Sequence, residues 1–464
     1  MLISLLFACT GVPDMPKPPP QKPDIVLVIV DTLRADHLGV YGHRRPTSSA
    51  MDALAQGGTW FHRAYASSGW TLPSMATLFS GLYPHQHLVG RLAFRGTEFG
   101  KLDAETTTLA ETLGAQGYRS GAVVNNTFMA PEFQLDQGFE VYDYQGATNK
   151  EHRSATTTVD IGMKWLDTVT EPAFLVLHFM EPHLDYEAHA PHIGAFSKDN
   201  PAATQIYLDG LVGKSHRNTP PSAEVQEFVR QRYDEEILHV DDAVDYLVAA
   251  LKKRNRWDNT VFVITSDHGE EFWEHGGFEH GHTLMGELTR APLIIAGGAA
   301  PARGRVDAVV EHVDLVYGLT TIGGADPLPE TLGTDLWAIA DGSAVNHDNT
   351  ALSENILYGT PRVSIVDDRS RLEFDFAKGS GTLWQVDPDG MERRSVGPAQ
   401  RASEGQRLSE AIKRKRGSLD SIDGVGGVTI ADQEMFLQLQ SLGYIEAPSE
   451  TTTPPSPAGP VTTP

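Results

Sequence analysis

Val261-Phe262-Val263-Ile264-Thr265-Ser266-Asp267-His268-Gly269-Glu270 is the stretch on which the fold turns. Its four leading residues are all apolar, and the run is too short for an ordinary helix and too apolar for a half-solvated strand. It reads as a strand buried on both faces. Strands of that kind belong to parallel sheets covered by helices, and open sheets of this class collect ligands at the carboxyl ends of their strands. Here the strand delivers a carboxylate and an imidazole to that edge. Oxygen with one nitrogen is a donor set that Mg, Mn, Ca or Zn accepts.

Working outward, runs of the same kind lie at residues 25–30, 120–124, 173–179 and 292–296, each flanked by turn or polar residues. Helical spacing fills 107–116 and 225–253, the second acidic at its start and basic at its end, as the helix dipole favours. The expected fold class is α/β, a mostly parallel central sheet sandwiched by helices. From about Asp314 the pattern changes to alternating strands at 363–367 and 371–376, with Gly379, Ser380 and Gly381 turning the chain back. We therefore divide the chain into 1–22, a main domain at 23–313, a small antiparallel subdomain at 314–447, and a tail at 448–464. The tail is Thr, Pro, Ser and Gly, a composition expected to be disordered.

Three other strand or helix ends carry polar groups. Asp31 directly follows 25–30, where it is placed to hold a metal; a turn Asp capping a following helix fits the same residues. In Ser68-Gly69-Trp70-Thr71-Leu72-Pro73-Ser74, Pro73 suits the first position of a helix running to Phe79 and closed by Gly81. Thr71 stands at that N-terminus, where free N–H groups and the dipole favour an anion beside its hydroxyl, although plain capping by Thr71 is equally compatible. The strand 173–179 delivers His183 to the same edge, as a site residue or as a core histidine. After His268 come His275, His280 and His282, four histidines within fifteen residues, followed by Arg290. Behind a strand-end Asp, such a cluster reads as lining a site.

Composition narrows the partners. The 464 residues carry 37 Lys and Arg against 61 Asp and Glu, a net charge of −24. That excess repels a phosphate backbone, so nucleic acid is not an expected partner. No stretch approaches the roughly 20 apolar residues of a membrane span. The apolar residues 1–8 run into the only cysteine, Cys9, and Leu6-Phe7-Ala8-Cys9 resembles a bacterial lipobox. That reading makes Cys9 a lipid anchor, the Pro-rich residues 10–22 a tether, and the bacterial cell envelope, periplasmic or outer face, the expected location. With no other cysteine the chain has no internal disulfide and no thiolate metal site.

Over residues 23–391 these stretches resemble, in the same order, the sulfatases of the alkaline phosphatase superfamily. The matching pieces are the Asp31 strand, Thr71 to Gly81 followed by Leu82-Tyr83-Pro84, the Pro182-His183 pair, and Asp267 to Glu270. Residues 383–391 are similar to the family's late strand and acidic turn. The resemblance implies that Asp31, Thr71, Asp267 and His268 surround one divalent metal. It also implies that His183, with His280 or His282, holds the anion and protonates the leaving group. Two departures matter. Sulfatases carry Cys or Ser at the position of Thr71 and Arg where Met75 stands; their Cys or Ser becomes formylglycine, an aldehyde that Thr cannot give because its Cβ carries a methyl group. At this position the chain is similar to phosphoethanolamine and phosphoglycerol transferases, which use an unmodified Thr. Thr32 stands where calcium sulfatases have a second Asp, and His268 where they often have Asn. Family analogy implies Ca, whereas this ligand set leans toward Mn, Mg or Zn.

The implied activity is metal-dependent hydrolysis of sulfuric or phosphoric esters of a small molecule, glycan or lipid. The alternatives are a phosphotransferase acting on envelope glycolipids and a non-catalytic anion-binding homologue. The sequence leaves the oligomeric state open.

Overall fold

The computed structural model describes residues 22–91, 98–147, 152–187, 189–198, 219–396, 398–417, 427–430 and 435. Cys9, nearly all of the expected tether and the tail at 448–464 lie outside the described residues. The main sheet has nine strands: β1 Asp24–Val30, β2 Thr59–Tyr65, β3 Arg119–Val124, β4 Val141–Tyr144, β5 Ala173–Phe179, β6 Thr260–Thr265, β7 Arg290–Ala291, β8 Leu293–Ala296 and β9 Gly304–Glu311. Their order is β7-β2-β8-β6-β1-β5-β3-β4, with β9 also pairing β2. The centre, β6-β1-β5-β3-β4, is parallel throughout, and β7 and β8 run antiparallel to their neighbours.

Period-two alternation in β1 explains the layering. Ile25, Leu27 and Ile29 enter one core with α2 (Thr71–Ser80) and α6 (His312–Gly323), while Val26, Val28 and Val30 enter the other. The second core is closed by α1 (Ser49–Gly57), α4 (Ala155–Leu166) and α5 (Ala223–Lys253). All six aliphatic side chains of β1 are fully buried, worth roughly 1.5–3 kcal/mol each. That gain is large enough to hold the charged Asp31 in the dry interior at the strand's end.

Helix α3 (Leu109–Ala115) is shorter than the expected 107–116, because Thr108 stops it with a capping box to Glu111. Helix α5 starts at Ser222, whose hydroxyl accepts from the Val225 N–H, and ends on Lys252 and Lys253. Strands β2 and β9 escaped the sequence reading. In β2, His62 and Arg63 interrupt the apolar run, and in β9 an irregularity between Val306 and Val309 breaks the alternation. No helix among the described residues is long and apolar enough to cross a membrane.

Five antiparallel strands form the second, C-terminal sheet: β10 Ala351–Glu354, β11 Arg362–Val366, β12 Ser370–Asp375, β13 Ser380–Val386 and β14 Glu392–Ser395, each paired with the next. The β12–β13 turn occupies 376–379, so Gly379 supplies its left-handed residue at φ 59° while Ser380 and Gly381 already belong to β13. The sheet is fastened to the main domain by a buried ion pair. Arg371 Nε donates to Glu392 Oε1 at 2.7 Å, and Arg371 Nη1 donates to Leu284 O at 2.7 Å and Ser364 Oγ at 2.8 Å. Glu392 Oε2 in turn accepts from the Gly286 N–H at 2.9 Å, and both side chains of the pair are fully buried.

Breaking one half of such a pair strands the other charge. Arg371→Met should cost about 3–5 kcal/mol, and Arg371→Met with Glu392→Met should cost clearly less than the two single losses added together. Urea unfolding of the three variants checks this; strict additivity would remove the pair from its role at the seam.

Candidate active site

Strands β1, β5 and β6 lie side by side, so their carboxyl ends bring Asp31, Glu181 to His183, and Asp267 to Glu270 to one edge. Asp31 and Asp267 are completely buried. Asp31 Oδ2 accepts from Asn126 Nδ2 at 2.7 Å, and Asp267 Oδ1 accepts from the backbone N–H of His268 at 2.9 Å and of Thr32 at 3.4 Å. The remaining oxygens, Asp31 Oδ1 and Asp267 Oδ2, are buried with no hydrogen-bond partner among the described residues. Both lie near one nitrogen, His268 Nε2, at 3.6 and 3.3 Å. Thr71 Oγ1 approaches the same nitrogen at 3.2 Å.

The His268 ring is oriented by its neighbour: Nδ1 stands 2.9 Å from Gly269 O, which turns Nε2 toward Thr71 and the carboxylates, where it could offer a lone pair to a bound cation. Gly269 has no alternative, since a Cβ there would collide with the Glu287 carbonyl. Thr32, between Asp31 and the helical turn at Ala35–His37, holds φ at 57°, a left-handed conformation that is costly for a β-branched residue. The strain is held by Tyr233 of α5, whose hydroxyl donates to Thr32 O at 2.7 Å and accepts from the Arg34 N–H at 2.9 Å. Asp31 caps no helix, for the following helical turn is preceded by Arg34.

Helix α2 begins at Thr71 itself, two residues before Pro73, with Trp70 as its uncapped N-cap. The Thr71 hydroxyl is therefore not spent on capping and points to His268. Ser68 Oγ and Trp70 Nε1 both donate to Asn355 O, at 2.7 and 3.0 Å, which fixes the turn that carries Thr71.

The histidines separate. His280 joins the group, its ring 4.6 Å from His268 and 5.1 Å from His183, with Nδ1 2.9 Å from Glu270 Oε1. His183 Nδ1 lies 2.8 Å from Leu184 O. His282 is engaged elsewhere, its Nε2 2.8 Å from Glu271 Oε2, and His275 Nε2 lies 3.4 Å from Glu287 Oε2. Arg290 donates to His62 O across the β7–β2 pair. Two further residues belong to the site. Asn126 follows β3, and His178 is the single ionisable residue of the apolar strand β5, its Nε2 3.5 Å from Asp31 Oδ2. A polar residue inside a run that should be uniformly apolar was the available signal for His178.

Electrostatics set the two aspartates apart. Burial works against ionising Asp31, but the imidazoles of His178, His183 and His268 outweigh it and hold the group well below the usual carboxylate range. Asp267 is pushed well up, by burial first and by the Asp31 charge second. Burial raises Glu270 to about 7 and lowers His183. Two converging carboxylates, an imidazole lone pair and a hydroxyl, with one oxygen of each acid left unsatisfied, fit a single divalent cation.

A family model described as Sulfatase matches residues 23–325. The uncharacterized sulfatase YidJ of Escherichia coli (strain K12) is 22% identical over 373 residues, covering 70% of this chain and 72% of that protein. An arylsulfatase of Clostridium perfringens (strain 13 / Type A) is 22% identical over 362 residues, covering 63% and 72%. Among solved structures, the phosphonate monoester hydrolase of Agrobacterium radiobacter superposes with a TM-score of 0.70 at 20% identity, over 85% of this chain and 95% of that one. This last is a likeness of fold.

Asp267→Asn keeps the Oδ1 acceptor and removes one of the two facing charges. It should release one equivalent of divalent metal per chain, while the metal-stripped protein unfolds as cooperatively as the parent and at an equal or higher midpoint. Metal analysis and thermal melts of both proteins check this, and unchanged metal content would dissolve the ligand assignment.

Proposed function

The chain belongs to the sulfatase family and is a hydrolase of ester bonds, and from that premise we propose that it cleaves phosphoric esters with the unmodified Thr71 hydroxyl as nucleophile. The observation that carries this reading is the 3.2 Å approach of Thr71 Oγ1 to His268 Nε2, at the first residue of α2 and beside the unsatisfied oxygens of Asp31 and Asp267. A divalent cation held by Asp31, Thr71, Asp267 and His268, with Mn, Mg or Zn suiting these ligands better than Ca, would supply positive charge against the substrate oxygens and lower the pKa of the hydroxyl.

The protein's own groups do the rest. The N-terminus of α2 directs free N–H groups and its positive dipole end toward a bound anion. Thr71 Oγ1 attacks phosphorus, its hydroxyl proton passing to a nonbridging oxygen of the substrate; the O–P bond forms as the bond from phosphorus to the leaving oxygen breaks. His280, oriented by Glu270, gives that oxygen its proton. Glu270 is itself held by the Tyr186 hydroxyl at 2.9 Å. Water then attacks phosphorus, the bond to Thr71 breaks, and the proton returns to the threonine oxygen. His183 and His280 are each only 4% exposed, and the residues around Thr71 are not exposed at all, so bulk water is kept from the first step.

A sulfate ester of Thr71 would lack the aldehyde-hydrate route by which formylglycine sheds sulfate, so phosphate esters should be preferred. The apolar residues 1–8 leading into the lone Cys9 support attachment to the bacterial envelope by lipid.

Thr71→Ala should lower kcat/KM on nitrophenyl phosphate esters by on the order of 10³-fold or more, with Thr71→Ser retaining most activity. Parallel rates on nitrophenyl sulfate measure the substrate preference. A sulfate preference that survives Thr71→Ala would overturn both nucleophile and substrate. Separately, Cys9→Ser should move the full-length protein from the membrane to the soluble fraction, and unchanged fractionation would count against the anchor.

A further inference from the structure

A second group of potential ligands surrounds Glu181, sharing no residue with the Asp31 group. Glu181 ends β5, is 1% exposed, and its Oε2 is buried with no hydrogen-bond partner among the described residues. Three imidazoles converge on its other oxygen. The Nε2 atoms of His152, His189 and His239 lie 3.9, 3.6 and 3.7 Å from Glu181 Oε1. They come from three places in the chain: the approach to α4, the loop after β5, and the middle of α5. His189 and His239 lie with ring centroids 4.5 Å apart, and the Nε2 atom of each is buried without a hydrogen-bond partner. The ligand atoms of His152, Glu181 and His189 all lie within 4.8 Å of one another.

We propose that Glu181, His152, His189 and His239 form a second divalent-metal site, of the tetrahedral zinc type.

Distance is the first argument. Ligands about 2.0–2.1 Å from a tetrahedral zinc stand roughly 3.3–3.4 Å from one another, so the three separations from Glu181 Oε1 need to contract by a few tenths of an ångström, and His239, outside the group of the other three, has furthest to move. The second is a pair of buried acids. Glu236 is also 1% exposed with its Oε2 unpartnered, and it lies close enough to Glu181 to feel its charge, so two carboxyl groups share a dry region. Burial pushes both up, Glu181 to about 7, and a cation beside Glu181 would let it ionise. The third is ligand chemistry. Burial keeps all three imidazoles below their ordinary range, neutral and able to donate a lone pair. Four protein ligands close a tetrahedron and leave no open position, so the metal is a structural brace. It would tie α5 and the approach to α4 to the turn that carries His183, two residues beyond Glu181.

The test counts zinc on full-length, chelator-stripped protein carrying Asp267→Asn, which silences the Asp31 group. After zinc loading and dialysis this protein should retain about one equivalent per chain, and the same protein with His152→Ala and His239→Ala should retain less than about a tenth of one. Equal zinc in the two, or none in the first, would overturn the site. Should the triple variant fail to fold, anomalous diffraction at the zinc edge on zinc-loaded crystals of the parent locates the ion directly. A peak bonded to the three Nε2 atoms supports the site and an empty position refutes it. A peak between Asp31 and Asp267 is scored separately, so the two assignments stand or fall independently.

Discussion

Two carboxyl groups facing each other away from water, Asp31 and Asp267, are the constraint around which the rest of the molecule is arranged. Each costs several kcal/mol to bury charged, and each raises the cost of the other. The protein answers with donors fixed to rigid elements, Asn126 after β3 and the backbone N–H groups of Thr32 and His268, and with the imidazoles of His178, His183 and His268 close to Asp31. These suffice for one negative charge, which settles on Asp31, while Asp267 resists ionisation. A cation between them would remove the conflict, and the left-handed Thr32 directly follows the first of them.

Imidazole orientation is controlled by one repeated device. His268 directs Nδ1 to the carbonyl of Gly269 and His183 directs Nδ1 to the carbonyl of Leu184, in each case the residue that follows. A backbone acceptor that cannot move fixes the tautomer and leaves Nε2 to present a lone pair. His280 uses the Glu270 carboxylate instead, which suits a group that gains and loses a proton. His282 turns its Nε2 to Glu271 at hydrogen-bond distance, and His275 Nε2 lies 3.4 Å from Glu287 Oε2, so neither faces His268.

The small C-terminal sheet does more than cover an edge. The end of β10 and the segment following it reach both halves of the site: the Glu354 N–H donates to Ser67 O at 2.9 Å, Asn355 O receives Ser68 and Trp70, and the Leu357 and Tyr358 N–H groups donate to Gly281 O at 2.7 and 2.8 Å. Gly281 in turn donates to Gly69 O at 2.9 Å. The turn bearing Thr71 and the loop bearing His280 are thus clamped to each other and to the second sheet. The buried Arg371–Glu392 pair anchors that sheet to the same loop through Leu284 and Gly286.

The sequence by itself determined the α/β class, the five runs that became β1, β3, β5, β6 and β8, the C-terminal antiparallel strands, and the placement of Asp31, Thr71, Asp267, His268 and His183 at strand or helix ends. It could do so because buried parallel strands are uniformly apolar and their first polar residue marks the sheet edge, a signal carried by neighbours in the chain. Tertiary structure alone decided which side chains meet. His280 and His282 are two residues apart and chemically alike, yet only His280 reaches His268, because Gly281 at φ 81° sends the two side chains to different partners. Asn126 was hidden for a related reason, and His178 stood out only as a polar residue in an apolar run: the partner each meets comes from the lateral order β6-β1-β5-β3, which no local pattern encodes. The histidines around Glu181 are further apart still, at 152, 189 and 239, and only the packing of α4 on β5 and of α5 on α4 brings them to one oxygen.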